Sequence, residues 1–118
     1  MSGDDPRLVD FLDHILEAIR RIRVYTQHLS AAEFSHNTLV QDGVIRNIEI
    51  LGEAARNIER TYPDFARAHS EVPWALIYAM RNRVAHGYFT VDLEIVWRTV
   101  HNDFPDLEQR IKSMRDNQ

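Results

Sequence analysis

A chain of 118 residues with a formal net charge of −4 is long enough for one hydrophobic core and too short for two ordinary domains. A single domain over residues 1–118 is therefore expected. The chain has no cysteine, which excludes disulfides, thiolate metal sites and a cysteine nucleophile. The negative charge argues against a broad basic surface for nucleic acid, so any contact with a polyanion must be local or assembled from more than one subunit.

The composition also bears on fold class and location. Hydrophobic residues make up 44% of the chain, and with 4 Gly and 4 Pro it has few of the turn residues that an all-β fold needs. An all-α protein is the natural expectation. The N-terminus is acidic where a signal peptide is basic, and no apolar run approaches the roughly 18 residues of a membrane span. We therefore expect a cytoplasmic protein with no membrane contact.

The first predicted helix begins after a cap at Asp4 or Asp5, has Pro6 in its first turn and ends near Ser30. Its apolar residues fall on one side at about 100° per residue, as in an amphipathic helix. These residues are Leu8, Phe11, Leu12, Ile15, Ile19, Ile22, Thr26 and Leu29. The outer face is interpreted as solvated rather than as a binding patch, and it carries Arg20, Arg21, Arg23 and Gln27.

Residues 31–37 show no sustained periodicity of apolar residues and are predicted to be a connection between two helices. The second long helix begins at Asn37 or Thr38 and ends at Tyr62, because the following Pro63 disfavours helical geometry before it. Phe65 and Ala66 are expected to anchor the loop after it. The helix has an apolar stripe formed by Val40, Val44, Ile48, Leu51, Ala55 and Ile58. Its opposite, mixed-charge face carries Arg46, Glu49, Glu53, Asn57 and Arg60.

Gly52 lies inside this second helix, where a glycine costs about 1 kcal/mol relative to alanine. Such a residue allows another backbone to approach closely. A packing role is therefore predicted for Gly52.

A third helix opens at Val72-Pro73-Trp74 and ends before Gly87, which favours a helix stop. Its expected core stripe consists of Trp74, Ile77, Tyr78, Val84 and Ala85. Arg81 falls in the middle of that stripe, although a guanidinium is almost never buried without a partner. Arg81 must therefore pair with an acid elsewhere, extend outward, or lie where a cleft or a second subunit opens the stripe.

Residues 72–91 contain no Asp or Glu in a chain that has 18 of them, so Arg81, Arg83 and His86 have no local counter-charge. This pattern suggests a site for an anion. His86 shares a flank with Asn82 but lies roughly 140° round the helix from Arg81. The arginine and the histidine can meet at one phosphate through the reach of the arginine, or where two copies of the helix pair across a twofold axis.

The last helix is predicted to begin after a cap at Thr90 or Asp92 and to be kinked or split at Pro105, with Asp103 as a new cap. Its apolar residues are Leu93, Val96, Trp97, Val100, Phe104, Leu107, Ile111 and Met114. Residues 113–118 are expected to be frayed.

The candidate chemistry centres on one histidine. No two of the six histidines stand three or four apart on one helix, so a helical metal-binding pair is absent from the sequence and no metal or cofactor is expected. His86 is the best candidate for proton transfer, because the unperturbed pKa of histidine lies near neutral pH.

Residues 81–88, Arg-Asn-Arg-Val-Ala-His-Gly-Tyr, have the form R-x4-H-x-Y. With this motif, the chain resembles the HEPN superfamily, and in particular the HepT toxins encoded beside a minimal nucleotidyltransferase (MNT) antitoxin. Residues 46–55 are similar to the signature of that family's second helix, and residues 72–74 to the opening of its motif helix. The segment from Val91 to Trp97 is similar to the family's following segment.

The resemblance implies an antiparallel, up-and-down bundle of four main helices that forms a homodimer. It also implies the toxin of a type VII HEPN/MNT toxin–antitoxin pair, acting on RNA as a metal-independent endoribonuclease. Arg81 and His86 would be the catalytic pair, Asn82 and Arg83 supporting polar residues, and Tyr88 the hydroxyl adenylylated by the MNT nucleotidyltransferase partner.

Two other hypotheses remain open from the residues alone. A helical module could bind a nucleotide or a partner and assist a nucleotidyltransferase without cleaving RNA. Alternatively, the chain could be a structural dimer in which Arg81 only pairs with an acid such as Glu53, so that Arg81→Ala would mainly lower stability.

Overall fold

A computed structural model describes residues 6–85 and 92–118. These two segments are almost entirely helical and contain no β-strand, which confirms the predicted all-α class. In chain order the elements are α1 (Pro6–Thr26), α2 (Ala31–Ser35), α3 (Thr38–Thr61), α4 (Pro63–Ala68), α5 (Trp74–Ala85), α6 (Leu93–Arg98), a π-helical turn (Thr99–Asp103) and α7 (Phe104–Asp116).

Helices α1 and α3 pack side by side in opposite directions. The ring of Phe11 near the start of α1 lies 6.3 Å from the ring of Tyr62 at the end of α3. At the other end of the pair, Tyr25 lies against Gly43. Residue numbers therefore rise along one helix as they fall along the other, as in an up-and-down bundle.

Two further helices complete the bundle in the same manner. Helix α7 runs antiparallel to α1, because Asp13 pairs with Arg115 and Arg23 with Glu108. Helix α5 crosses the other side of α3, where residues 52 and 56 contact residues 81 and 78. The contacts therefore support the antiparallel arrangement. Among the helices of the described segments, none is long and apolar enough to cross a lipid bilayer.

The apolar stripe predicted for the first helix is confirmed, because most of its residues are buried in one continuous core with those of α3, α5 and α7. The helix ends at Thr26, four residues before the predicted end. Thr26 is nevertheless buried, and its hydroxyl donates a 2.8 Å hydrogen bond to the carbonyl of Ile22.

On the outer face of α1, hydrogen bonds from Arg20 and Arg21 lower the pKa of the exposed Glu17 carboxyl to about 2. This face is thus a solvated, ion-paired surface.

The prediction of a plain connection over residues 31–37 is wrong, because residues 31–35 form helix α2. The Ser30 hydroxyl accepts a hydrogen bond from the Glu33 backbone N–H, and the Glu33 carboxylate accepts one from the Ser30 N–H. This reciprocal pair is a capping box, which the spacing of Ser30 and Glu33 already encodes. The buried ring of Phe34 then fixes the short helix to the core.

Replacing Ser30 with alanine is expected to lower the free energy of unfolding by about 1 kcal/mol, because the first-turn N–H of α2 loses its acceptor. Urea unfolding followed by circular dichroism measures this change. The exposed Ser70 provides a matched serine-to-alanine control, for which no comparable loss is expected. Equal stability of the Ser30→Ala protein and the wild type would show that the cap does not stabilise the fold.

A second short helix, α4, replaces the loop predicted after Pro63. The proline occupies its first turn, where the missing N–H costs nothing. The predicted anchoring role is confirmed, because Ala66 is buried and Phe65 packs against the core.

The last helix begins with Asp92 as its cap, because the carboxylate accepts hydrogen bonds from the N–H groups of residues 94 and 95. The other candidate cap, Thr90, lies outside the described residues.

The predicted interruption before Pro105 is a π-helical turn, in which Phe104 N–H donates to the carbonyl of Thr99, five residues back. Proline has no N–H with which to continue the α-helical pattern, and the wider turn accommodates it.

Two predictions for this last helix are wrong. Asp103 directly precedes α7, but its side chain makes no capping hydrogen bond, because its own backbone is helical at the end of the π turn. The end of the chain is helical to Asp116 rather than frayed from residue 113. Burial of Met114 and the ion pair of Arg115 with Asp13 hold this end against α1.

Candidate functional site

Arg81 is positioned by an unusually close contact between α5 and α3. A Cβ atom added to Gly52 would lie 2.2 Å from Cβ of Arg81 and 3.3 Å from the carbonyl oxygen of Ile77. Atoms cannot approach so closely, so only glycine allows α5 to pass at this distance. The predicted packing role of Gly52 is thereby confirmed, and the residue that it accommodates is Arg81.

The stem of Arg81 lies in the packed stripe while its charged end reaches outward. Its Nε is buried and lies 3.6 Å from a carboxylate oxygen of Glu53, and its Nη1 donates a 3.1 Å hydrogen bond to the side-chain oxygen of Asn82. The centre of the Tyr78 ring is 5.9 Å from Cζ. The stripe therefore tolerates an arginine because an acid on α3 accompanies it.

Arg81 also lines an open cleft of about 310 Å³ on the α1–α3 side of the bundle. The mixed-charge face predicted for the second helix provides four of its eight lining residues. The lining residues are His14, Arg46, Glu49, Ile50, Glu53, Ala54, Asn57 and Arg81. The structure thus combines the alternatives left open by the sequence, because Arg81 pairs with Glu53, extends outward and opens onto a cleft.

The cleft combines both signs of charge, with two arginines, two glutamates and a histidine. Such a site suits one phosphate group at the guanidinium better than a long polyanion held by charge alone. Sequence reasoning did not single out His14. No sequence signal could have found it, because α1 meets α3 and α5 at the cleft only in the folded chain.

The structure brings together some of the predicted site residues and leaves others apart. Arg81 and Asn82 are half-buried and hydrogen-bonded to each other. Arg83 is exposed and does not line the cleft. His86 and Tyr88 lie outside the described residues, as do the side chains of Val84 and Ala85 in the predicted stripe. The predicted meeting of arginine and histidine at one phosphate therefore stays a prediction.

A metal site needs several ligand side chains close together, and residues 6–85 and 92–118 do not provide such a set. No group of three or more histidine, aspartate or glutamate side chains there is arranged to hold a metal ion.

Comparison with known proteins places this chain in a family. The model of the "Ribonuclease HepT-like" family matches residues 15–114, which include α3, α5 and the whole 81–88 motif. The chain belongs to the HepT-like ribonuclease family. The resemblance to HepT proteins of the HEPN superfamily is thereby confirmed.

Individual HepT-like relatives agree with this assignment. The protein named "Probable ribonuclease HepT" from Thermococcus cleftensis is 39% identical over 90% of this chain and 94% of its own length. A protein named as a putative RNase from Caldanaerobacter subterraneus subsp. tengcongensis is 32% identical over 88% of this chain and 90% of its own length.

A third relative contains the HepT-like region within a longer protein. It is named "Gamma-glutamylcyclotransferase and putative RNase", comes from Methanocaldococcus jannaschii, and is 38% identical over 86% of this chain but only 44% of its own length. No solved structure matches the chain significantly.

Proposed function

We propose that this HepT-like protein is an endoribonuclease that cleaves RNA without a metal ion, through attack of the 2′-hydroxyl on the adjacent phosphorus. The observation that carries the proposal is the placement of Arg81, the first residue of the R-x4-H-x-Y motif, on a cleft with its stem fixed against Gly52. Membership of the HepT-like ribonuclease family supports the choice of RNA as the substrate.

The proposed reaction needs a cation and two proton transfers. One proton leaves the 2′-hydroxyl as its oxygen bonds to phosphorus, and another reaches the 5′-oxygen as its bond to phosphorus breaks. The products are a 2′,3′-cyclic phosphate and a 5′-hydroxyl. Arg81 stabilises the negative charge that develops on the phosphoryl oxygens, and His86 transfers a proton. Asn82 supports Arg81, because its side-chain oxygen accepts a hydrogen bond from Nη1.

We further propose that the working form is a homodimer in which two copies of the motif helix meet across a twofold axis. Such an interface places both arginines and both histidines in one groove. It also offsets the net charge of −4, because RNA then meets two sets of basic side chains in one place.

The direct test is incubation of the purified protein with a defined RNA in the presence of EDTA. We expect cleavage to products with 2′,3′-cyclic phosphate ends, and no cleavage of the same strand with 2′-deoxynucleotides. Binding of the RNA or of a nucleotide without cleavage would instead favour the non-catalytic module. Cleavage that EDTA abolishes would contradict the metal-independent mechanism.

As regulation, we propose that the protein is the toxin of a type VII HEPN/MNT pair and that a nucleotidyltransferase antitoxin adenylylates Tyr88. The tyrosine oxygen attacks the α-phosphorus of ATP, pyrophosphate leaves, and adenosine monophosphate remains on the ring. The added anion lies two residues from His86 and competes for the site that RNA needs.

Incubation with the antitoxin and ATP is expected to add one adenylyl group per chain and to abolish RNA cleavage. Intact-mass spectrometry measures the adduct, and Tyr88→Phe should carry none. A similar adduct on the Tyr88→Phe protein would show that another residue is modified. Silencing without any adduct would contradict adenylylation and favour simple occlusion by the antitoxin.

A further inference from the structure

We propose that Glu53 is a positioning residue for Arg81, whose carboxylate holds the Nε side of the guanidinium so that the outer nitrogens remain available to a phosphate. This proposal rests on the proposed ribonuclease function, and it adds to that function a residue outside the R-x4-H-x-Y motif. The contacts on each side of the guanidinium carry it.

The Nε side of Arg81 is closed to substrate. Nε is buried and makes no hydrogen bond with the described residues, while Cβ and Cγ lie against Gly52. The side chain nevertheless keeps 30% of its surface exposed, so the accessible part lies toward its outer end. A phosphate entering the cleft therefore meets the outer nitrogens, of which Nη1 also donates a hydrogen bond to Asn82, and not the buried Nε.

Glu53 is the acid that accompanies this buried nitrogen. Its Oε2 lies 3.6 Å from Nε, longer than a hydrogen bond, so it acts on the guanidinium mainly through charge. Glu49 also lines the cleft, yet it forms no ion pair with Arg81 in the described part of the chain. Which acid pairs with Arg81 therefore depends on its position along α3 and not on the number of acids in the cleft.

The position of Glu53 follows from its neighbour in sequence. Gly52 lets α5 approach α3 closely, and the next residue of α3 then stands beside the Arg81 side chain. On another side, the Tyr78 ring lies 4.5 Å from Cζ of Arg56 and 5.9 Å from Cζ of Arg81. Two guanidinium groups share this ring, so a nearby carboxylate offsets their repulsion and fixes the orientation of Arg81.

Replacing Glu53 with glutamine preserves its size and removes its charge. We expect kcat for RNA cleavage to fall about 10- to 100-fold, because a small misplacement of a charge-stabilising group costs this much. KM should change less than about threefold. The loss cannot come from overall charge, because removing an acid favours binding of a polyanion. Glu53→Asp, which keeps the charge on a shorter side chain, should have intermediate activity.

Glu59→Gln is the matched control, because it makes the same change of charge on α3 and Glu59 does not line the cleft. It should cleave RNA at the wild-type rate. In an Arg81→Lys background, Glu53→Gln should cause little further loss of kcat, since a lysine has no planar guanidinium whose orientation a neighbouring charge can fix. Thermal unfolding of each variant separates loss of activity from loss of fold.

The NMR signal of the Arg81 Nε–H group reports positioning without any need for cleavage. We expect its order parameter to be high in the wild type and in Glu59→Gln, and lower in Glu53→Gln, because the charge that orients the guanidinium is then missing. An unchanged order parameter together with unchanged kcat in Glu53→Gln would overturn the positioning role. Loss of order in Glu53→Gln, in a protein whose wild type cleaves no RNA, would support positioning and refute the ribonuclease function.

Discussion

Replacing His86 with alanine is expected to reduce the rate of RNA cleavage by about 10²- to 10⁴-fold, the usual contribution of a positioned general acid or base. Arg81→Ala is expected to reduce it by about 10²- to 10³-fold, because the charge developing on the phosphate loses its stabilising cation. The double variant should be little slower than the slower single variant, since both residues serve one chemical step. Single-turnover cleavage of a defined RNA in EDTA measures all three rates.

Two matched controls separate these effects from general loss of charge or of an imidazole. Arg67 is exposed on α4 and His28 is exposed after α1, and neither lines the cleft. Arg67→Ala and His28→Ala should therefore cleave RNA at the wild-type rate. Undiminished cleavage by His86→Ala, in a preparation free of contaminating nuclease, would refute the assignment of that residue.

The stability of Arg81→Ala separates catalysis from a purely structural role. The ion pair with Glu53 is partly exposed, so its loss should contribute no more than about 1 kcal/mol to the change in the free energy of unfolding. Loss of the packed side-chain stem adds to this cost. A protein that remains folded but inactive supports the catalytic role. If the substitution caused extensive unfolding with normal activity in the folded fraction, Arg81 would be a structural residue only.

Gly52→Ala is expected to destabilise the protein by about 1–3 kcal/mol, as overpacking of a closely packed contact does. Helix propensity alone predicts the opposite, because alanine is favoured over glycine inside a helix by about 1 kcal/mol. The clash determines whether the substitution stabilises or destabilises the protein. The new methyl carbon would lie 2.2 Å from Cβ of Arg81, and this Cβ is attached to the backbone and cannot rotate away. Helix α5 must shift, so RNA cleavage should fall as well.

Gly43→Ala is the control for this experiment, because it makes the same substitution in the same helix. Its added carbon would lie 3.1 Å from the ring of Tyr25, which is 39% exposed and able to rotate away. The gain in helix propensity should therefore dominate, and Gly43→Ala should be as stable as the wild type or more so. Urea unfolding compares the two, and equal stability of Gly52→Ala and Gly43→Ala would contradict the close-packing interpretation.

Much of the fold was predictable because its signals are local. The apolar repeat of α1 and the proline after α3 affect the backbone only within a few residues. The helix predicted from the first and the helix end predicted from the second are both confirmed. Helix α2 was missed although Ser30 and Glu33 encode its capping box, because its five residues are too few to show a helical period. Pro105 was located correctly, but the sequence did not distinguish a new N-terminus from a π-helical turn.

The candidate site was predictable only in part. The sequence established the R-x4-H-x-Y spacing, the absence of acids near it, the place of Arg81 on an apolar stripe and the presence of a glycine within α3. The tertiary structure decided that Gly52 is the point where α5 crosses, that Glu53 meets Arg81, and that His14 shares their cleft. The physical reason is distance along the chain. Periodicity fixes the direction of each side chain on its own helix, whereas the pairing of residues 52 and 81 depends on how two helices pack.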